Sequence, residues 1–256
     1  MLRLIISFLT LITVLSCNKF DKVMIIGHRG AMGHIAENTI PSINKAMELG
    51  VDGIEIDVFK CKSGELVVFH DERLERLTNS SGFIESLELD SIKNIIVLDK
   101  YRIPTLEEVL QLIDGQVKLN IELKGYGTAS PTNYLINQYN NKGGWTEDKF
   151  IISSFKWDEL EKIRELNMTI PIAVLVNSNV NPIDALPFAK KIKAIAINPY
   201  YKDLNQKNIE KIQSNGLKVF PYTINELDDI ERMIKLGVDA IITDYPERVN
   251  KLKGLF

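Results

Sequence analysis

The feature that most limits the fold is a regular alternation of short β-rich runs with amphipathic helical stretches. The strand-like runs are VMIIG (23–27), GIEIDV (53–58), KLNIEL (118–123), KFIISS (149–154), IAVLV (172–176), AIAIN (194–198), KVFPYTI (218–224) and AIITD (240–244). Between them lie helical patterns such as TIPSINKAMELG (39–50), WDELEKIRELN (157–167) and ELDDIERMIKLG (226–237), with apolar residues three or four apart and two of the three ending on glycine. Such alternation calls for a parallel sheet with helical crossovers. Eight units of about 25–30 residues predict a (β/α)₈ TIM barrel. A doubly wound open sheet is the competing arrangement, but no Gly-rich dinucleotide fingerprint follows the first run.

One interval breaks the rhythm: the stretch from Gly53 to Lys118 is about twice the usual spacing. Residues 59–103 are therefore expected to form a small insertion above the barrel, after the second strand, with the helix from Thr105 as the normal crossover. The expected organisation is a signal segment (1–17), a tether (18–22) and the barrel (23–256).

The signal segment reads MLRLIISFLTLITVLSCNK, with Arg3 as its basic start and an apolar run, Leu4 to Leu15, too short to favour crossing a bilayer. Its end, Val14-Leu15-Ser16-Cys17, resembles the lipobox of bacterial lipoproteins, which implies lipidation of Cys17. The expected location is that of an exported, membrane-anchored lipoprotein, periplasmic or on the cell surface, held to the membrane by its N-terminal lipid. An uncleaved anchor or a core strand of the fold is the alternative. With Cys17 acylated, Cys61 has no partner for an intramolecular disulfide and reads as a small apolar packing residue. A net charge of −3 supplies no basic stripe for a phosphate backbone, so nucleic acid is not an expected partner.

Barrel active sites form at the C-terminal ends of the strands, and polar residues collect there. His28 and Arg29 follow the first strand, Glu55 and Asp57 end the second, Glu122 and Lys124 end the third, and Asp244, with no role assigned, ends the last. Glu55 and Asp57 share one face, as do Asn120, Glu122 and Lys124. Pointed into the barrel, three carboxylates would repel one another, and a bound cation is the natural compensation. An all-oxygen set suits Mg²⁺ or Ca²⁺.

A two-residue Ser63-Gly64 turn pairs Lys62 with Glu65 and Cys61 with Leu66, which sets Asp57 opposite His70; a longer loop would slip this register. His28 and His70 then flank the metal, as a general acid and a general base would near neutral pH. Arg29 and Lys124 suit a phosphoryl group. Together these groups describe phosphodiester cleavage better than acyl transfer. His34 is expected in a loop near the cleft rim, and Tyr222 lining the cavity.

The segment HRGAMGHIAENTIPSINKAMELGVDGIEIDVFKCKSGELVVFHD, followed by IPTLEEVL, IELKG, ISSF and IITDYPE, resembles the glycerophosphodiester phosphodiesterase family over nearly the whole mature chain. The resemblance implies a metal-dependent barrel with His28 and His70 as the acid-base pair and Glu55, Asp57 and Glu122 as metal ligands. It makes Arg29 and Lys124 phosphate-binding, and Glu37 and Asn38 of the ENT motif site-orienting. It also implies attack by the glycerol 2-hydroxyl on phosphorus and a cyclic phosphate opened by water, giving glycerol 3-phosphate and an alcohol. Two positions depart from the family pattern: Ala36 stands where proline is common, and Tyr222-Thr223 replaces a Trp-Thr pair. The expected substrate is thus a small glycerophosphodiester. Lysophospholipids are a second candidate, ranked lower because no long apolar loop is visible for an acyl chain. An inactive binding lipoprotein is the third, disfavoured because all seven expected groups are present.

Overall fold

The computed structural model describes residues 22–254. In chain order the strands are β1 (Met24–Gly27), β2 (Gly53–Lys60), β3 (Leu66–Val68), β4 (Ile96–Val97), β5 (Tyr101–Arg102), β6 (Lys118–Leu123), β7 (Phe150–Ser154), β8 (Ile172–Val176), β9 (Ala196–Pro199), β10 (Lys218–Val219) and β11 (Ala240–Thr243). Eight of them, in the order β11, β1, β2, β6, β7, β8, β9, β10, form parallel ladders with helices outside, the expected TIM barrel.

The run 218–224 is not a full strand: its ladder stops at Val219, and beyond it only Tyr222 bridges to Tyr200. Pro221 has no N–H to give, so the ladder cannot run through it. The barrel closes here through three backbone bonds, Asp239 N to Val219 O (3.0 Å), Ile242 N to Pro221 O (3.1 Å) and Ile224 N to Ile242 O (2.9 Å).

The period-two alternation of the strands separates the chemistry from the packing. Ile54, Ile56 and Val58 of β2, and Leu119, Ile121 and Leu123 of β6, are buried in the layer between strands and helices. Gly53, Glu55 and Asp57, and Asn120, Glu122 and Lys124, therefore take the interior face. Below them the interior is plugged by Ile26, Ile151, Ala173, Ala196, Phe220, Ala240 and Ile242. The small residues from β8, β9 and β11 let this plug fill the barrel without a channel.

Helix α1 (Ile40–Glu48) starts at Thr39, whose Oγ1 accepts from Ser42 N at 3.3 Å. Short α2 (Leu89–Ile92) belongs to the segment between β2 and the crossover. The crossover helix α3 (Leu106–Ile113) is set by a capping box between Thr105 and Glu108. The segment 59–103 has a core separate from the barrel's, built on Phe59, Cys61, Phe69, Leu74, Ile84 and Ile92.

The hairpin register differs by one residue from the expected one. Lys60, not Cys61, is opposite Leu66, and the loop comprises three residues, Lys62 to Gly64. Cys61 N donates to Glu65 O and Gly64 N to Cys61 O, both at 2.9 Å, with Gly64 at φ +109° absorbing the extra residue. Phe69 N then donates to Asp57 O at 3.0 Å, so Phe69 is the residue beside Asp57. Its ring enters the inserted segment's core, and His70, next in line, turns to the barrel mouth.

Candidate active site

The loop after β1 makes the first contacts. Arg29 sits in the left-handed region (φ +50°), uncommon for a residue with a side chain, and this turns its backbone N–H onto Glu55 Oε2 at 2.9 Å. Gly30 follows at φ +87°, where a Cβ would lie 2.6 Å from the Ser42 carbonyl carbon. Asn38 is also left-handed (φ +57°). Its Nδ2 donates to Asp57 Oδ2 at 2.8 Å and its Oδ1 accepts from Asp57 N at 3.2 Å. Glu37 accepts from Arg29 at 2.7 Å and from both terminal nitrogens of Arg76 at 2.8 and 3.0 Å. The three residues of ENT thus hold Arg29, clamp Asp57 and cap α1.

Glu55, Asp57 and Glu122 converge: each offers an oxygen within 4.8 Å of the others, and all three are buried. Burial, then the charges of Asp57 and Glu122, push the Glu55 carboxyl well above its ordinary value. Burial and Asp57 raise Glu122 to about 7, against the pull of Lys124. Lys124 Nζ lies 3.0 Å from Glu122 and 3.8 Å from Asp57, and Arg29 Nε lies 3.4 Å from Asp57. Glu55 Oε1 is buried with no hydrogen-bond partner among the described residues. Three carboxylates, one of them with an orphaned oxygen, fit a hard divalent cation, and the all-oxygen set does not suit structural zinc.

His28 and His70 are each held by an aspartate on Nδ1. His28 pairs with Asp244 Oδ1 at 2.7 Å, and its Nε2 is 4.0 Å from Glu55. Asn225 donates to the other Asp244 oxygen at 2.6 Å. Burial would raise the Asp244 carboxyl, but the bond and charge of His28 outweigh it and hold the group below its usual range. His70 pairs with Asp71 Oδ1 at 2.6 Å, and its Nε2 is 3.2 Å from Lys124 Nζ. Burial lowers the His70 imidazole below its ordinary value; Asp57 pulls it up, and Arg29 and Lys124 push it down.

Nine of the expected residues, His28, Arg29, Glu37, Asn38, Glu55, Asp57, His70, Glu122 and Lys124, come together in one connected cluster. Tyr222 lines its far wall, edge-on to Phe155 at 5.8 Å, with its hydroxyl spent on Val176 O at 2.7 Å. His34 stands apart, 3.0 Å from Glu247 and packed edge-on to Tyr245. Cys17 lies outside the described residues.

Asp71, Arg76 and Asn225 are contacts the sequence reading did not single out. Asp71 had a signal, since it directly follows His70; the other two act only through the folded arrangement. Arg76 reaches both Glu37 and Asp71, tying the inserted segment to Arg29 on one side and to His70 on the other. Arg76→Met is expected to lower kcat about 10- to 100-fold with a nearly unchanged melting temperature, because this half-exposed side chain positions rather than packs. Steady-state kinetics beside a thermal melt checks it.

The cluster surrounds a cavity of about 180 Å³. This opens onto a wider groove of about 660 Å³, bordered by His70, the charged residues Asp71 to Arg76 and Lys156.

A sequence model of the glycerophosphoryl diester phosphodiesterase family matches residues 28–248. The chain belongs to that family. A glycerophosphodiester phosphodiesterase of Caldanaerobacter subterraneus is 37% identical, the match covering 90% of this chain and 98% of the relative. One from Bacillus subtilis is 32% identical over 91% of this chain and 87% of its own. Among solved structures, an Oleispira antarctica phosphodiesterase in complex with the product sn-glycerol-3-phosphate superposes with a TM-score of 0.82 at 25% identity, covering 92% of this chain and 99% of that one.

Proposed function

We propose that the protein hydrolyses glycerophosphodiesters with the help of a divalent cation, releasing glycerol 3-phosphate and an alcohol. The observation that carries this reading is a pair of aspartate-held histidines, His28 with its Nε2 toward Glu55 and His70 with its Nε2 toward Lys124, lining one cavity with Arg29 and the three-carboxylate cluster. The activities named for the relatives, and the product bound by the Oleispira phosphodiesterase, agree with it.

The histidines are not equivalent. An Nδ1–H donated to Asp71 leaves the His70 Nε2 lone pair facing the Lys124 ammonium, and the neutral ring is favoured by burial. His70 is thus the general base that takes the proton of the attacking glycerol 2-hydroxyl. His28, held by Asp244 on Nδ1 with its Nε2 toward Glu55, takes the complementary role and protonates the departing alkoxide. The roles reverse when water opens the cyclic phosphate. Arg29 and Lys124 bind the phosphoryl oxygens, and Tyr222 bounds the space around the substrate. Glu55, Asp57 and Glu122 would hold Mg²⁺ or Ca²⁺, which when bound supplies charge stabilisation at the phosphoryl oxygens.

Protein lacking residues 1–17 is expected to convert glycerophosphocholine to glycerol 3-phosphate when Mg²⁺ or Ca²⁺ is added. Absence of turnover on every glycerophosphodiester tried, across Mg²⁺, Ca²⁺ and Mn²⁺, overturns the reading.

The sequence before the barrel supports a lipid anchor at Cys17 on an exported protein. In cells, Cys17→Ser is expected to move the protein from the detergent phase to the aqueous phase on Triton X-114 partition.

A further inference from the structure

The cavity that holds the catalytic groups also contains polar atoms with no work to do in the chemistry above. Asn198 on β9 is 1% exposed, and both its Oδ1 and its Nδ2 lack a hydrogen-bond partner among the described residues. Ser153 on β7 is likewise 1% exposed with its Oγ unpartnered, and Asn120 on β6, 3% exposed, has an unpartnered Oδ1. All three line the 180 Å³ cavity together with Glu55, His28 and Tyr222.

Each buried polar group left unpaired costs about 1–3 kcal/mol, and an apolar side chain at the same place would cost nothing of the kind. Three such residues on one cavity wall mark a place where a polar guest completes the bonding. The donor set identifies the guest. A carboxamide offers an acceptor and two donors, and a serine hydroxyl offers a donor and two acceptors. No cation or anion is among them, so the guest is neutral and carries hydroxyl groups that both give and accept.

We propose that Asn198, with Ser153 beside it, is the hydroxyl-reading element of this active site and binds the glycerol part of the substrate. The assignment rests on the proposed glycerophosphodiesterase reading and goes beyond it, because it names the residues that distinguish a polyol ester from other phosphate esters. Arg29 and Lys124 recognise phosphate whatever it is attached to; Asn198 recognises what is attached.

The test compares binding of sn-glycerol 3-phosphate with binding of inorganic phosphate, by calorimetry in the presence of Mg²⁺ or Ca²⁺. The protein is tested unaltered and as Asn198→Leu and Ser153→Ala. The unaltered protein is expected to prefer glycerol 3-phosphate. Asn198→Leu is expected to lose about tenfold or more of that preference, the worth of one to two hydrogen bonds, with its phosphate affinity unchanged. Ser153→Ala is expected to lose less. Unchanged phosphate binding also shows that the variant is folded. No preference in the unaltered protein, an unchanged preference in Asn198→Leu, or an equal loss for both ligands overturns the assignment. Hydrolysis of glycerophosphocholine by the unaltered protein separates the two readings: turnover with an unchanged preference in Asn198→Leu sinks this inference alone, whereas no turnover on any glycerophosphodiester sinks the function itself.

Discussion

His70→Ala is expected to lower kcat on glycerophosphocholine by about 10²- to 10⁴-fold, the usual contribution of a positioned general base, which is the role proposed for it, while the protein stays folded. The ring lies at the mouth of the barrel and is only 27% exposed at the side chain, but its neighbours are polar, so its removal leaves no apolar void. His28→Ala is expected to do similar damage from the opposite side. The double variant should be little worse than either single one, because acid and base serve one transfer. The pH profile separates their roles. In the proposed mechanism His70 acts when neutral, and its imidazole is held below the ordinary value, so the acid limb of kcat/KM should fall below the pH at which a free histidine titrates. An acid limb at or above that pH would refute the assignment of His70 as base.

Removal of divalent cations is the second large effect. Chelation is expected to reduce turnover by about 10³-fold or more, restored by adding back the metal. The metal-free protein should also show a distinctive stability profile. Burial and Asp57 raise the Glu122 carboxyl to about 7 in the folded chain, compared with 4.5 for a free glutamate, and Glu55 is raised as well. Between those values the folded state binds more protons than the unfolded one, so stability is greatest at the acid end and falls as pH rises toward 7. For Glu122 the loss is on the order of 3 kcal/mol. A cation that holds the carboxylates ionised flattens the slope. Asp57→Asn should flatten it without metal, since the Asp57 charge is, after burial, the largest contributor to both shifts. Denaturant titrations at pH 5 and pH 7.5, with and without Mg²⁺, check the sign; greater stability of the metal-free protein at the higher pH would refute it.

The barrel was legible because its strands are apolar runs whose alternate faces differ, so Glu55 and Asp57 on one face of β2 could be read before any coordinates. The eighth wall was overextended because β-rich residues around Pro221 look like a strand, although proline cannot carry the ladder. The hairpin register was missed by one because Ser63-Gly64 resembles a two-residue turn, whereas the left-handed Gly64 closes a three-residue one. That error did not cost the site: Phe69 takes the place assigned to His70 beside Asp57, and His70 still reaches the mouth. What the sequence hid were partnerships across long separations. Arg76 touches Glu37 39 positions away, and Asn225 fixes Asp244, which fixes His28 216 positions away. No local pattern encodes such pairs. Asn198 was equally silent, since an asparagine in an apolar run declares neither its burial nor its lack of partners.

The two histidines of the cavity come from different parts of the chain. His28 follows the C-terminal end of β1, and His70 follows a hairpin whose two faces divide, Leu66 and Val68 joining the barrel's core while Val67 and Phe69 join that of the inserted segment. The proposed proton relay therefore spans the junction of the barrel with the inserted segment, which Arg76 bridges through Glu37 and Asp71. A molecule in which that junction had loosened would keep its barrel and its three carboxylates and would turn over nothing. Turnover is thus a readout of assembly, not only of chemistry.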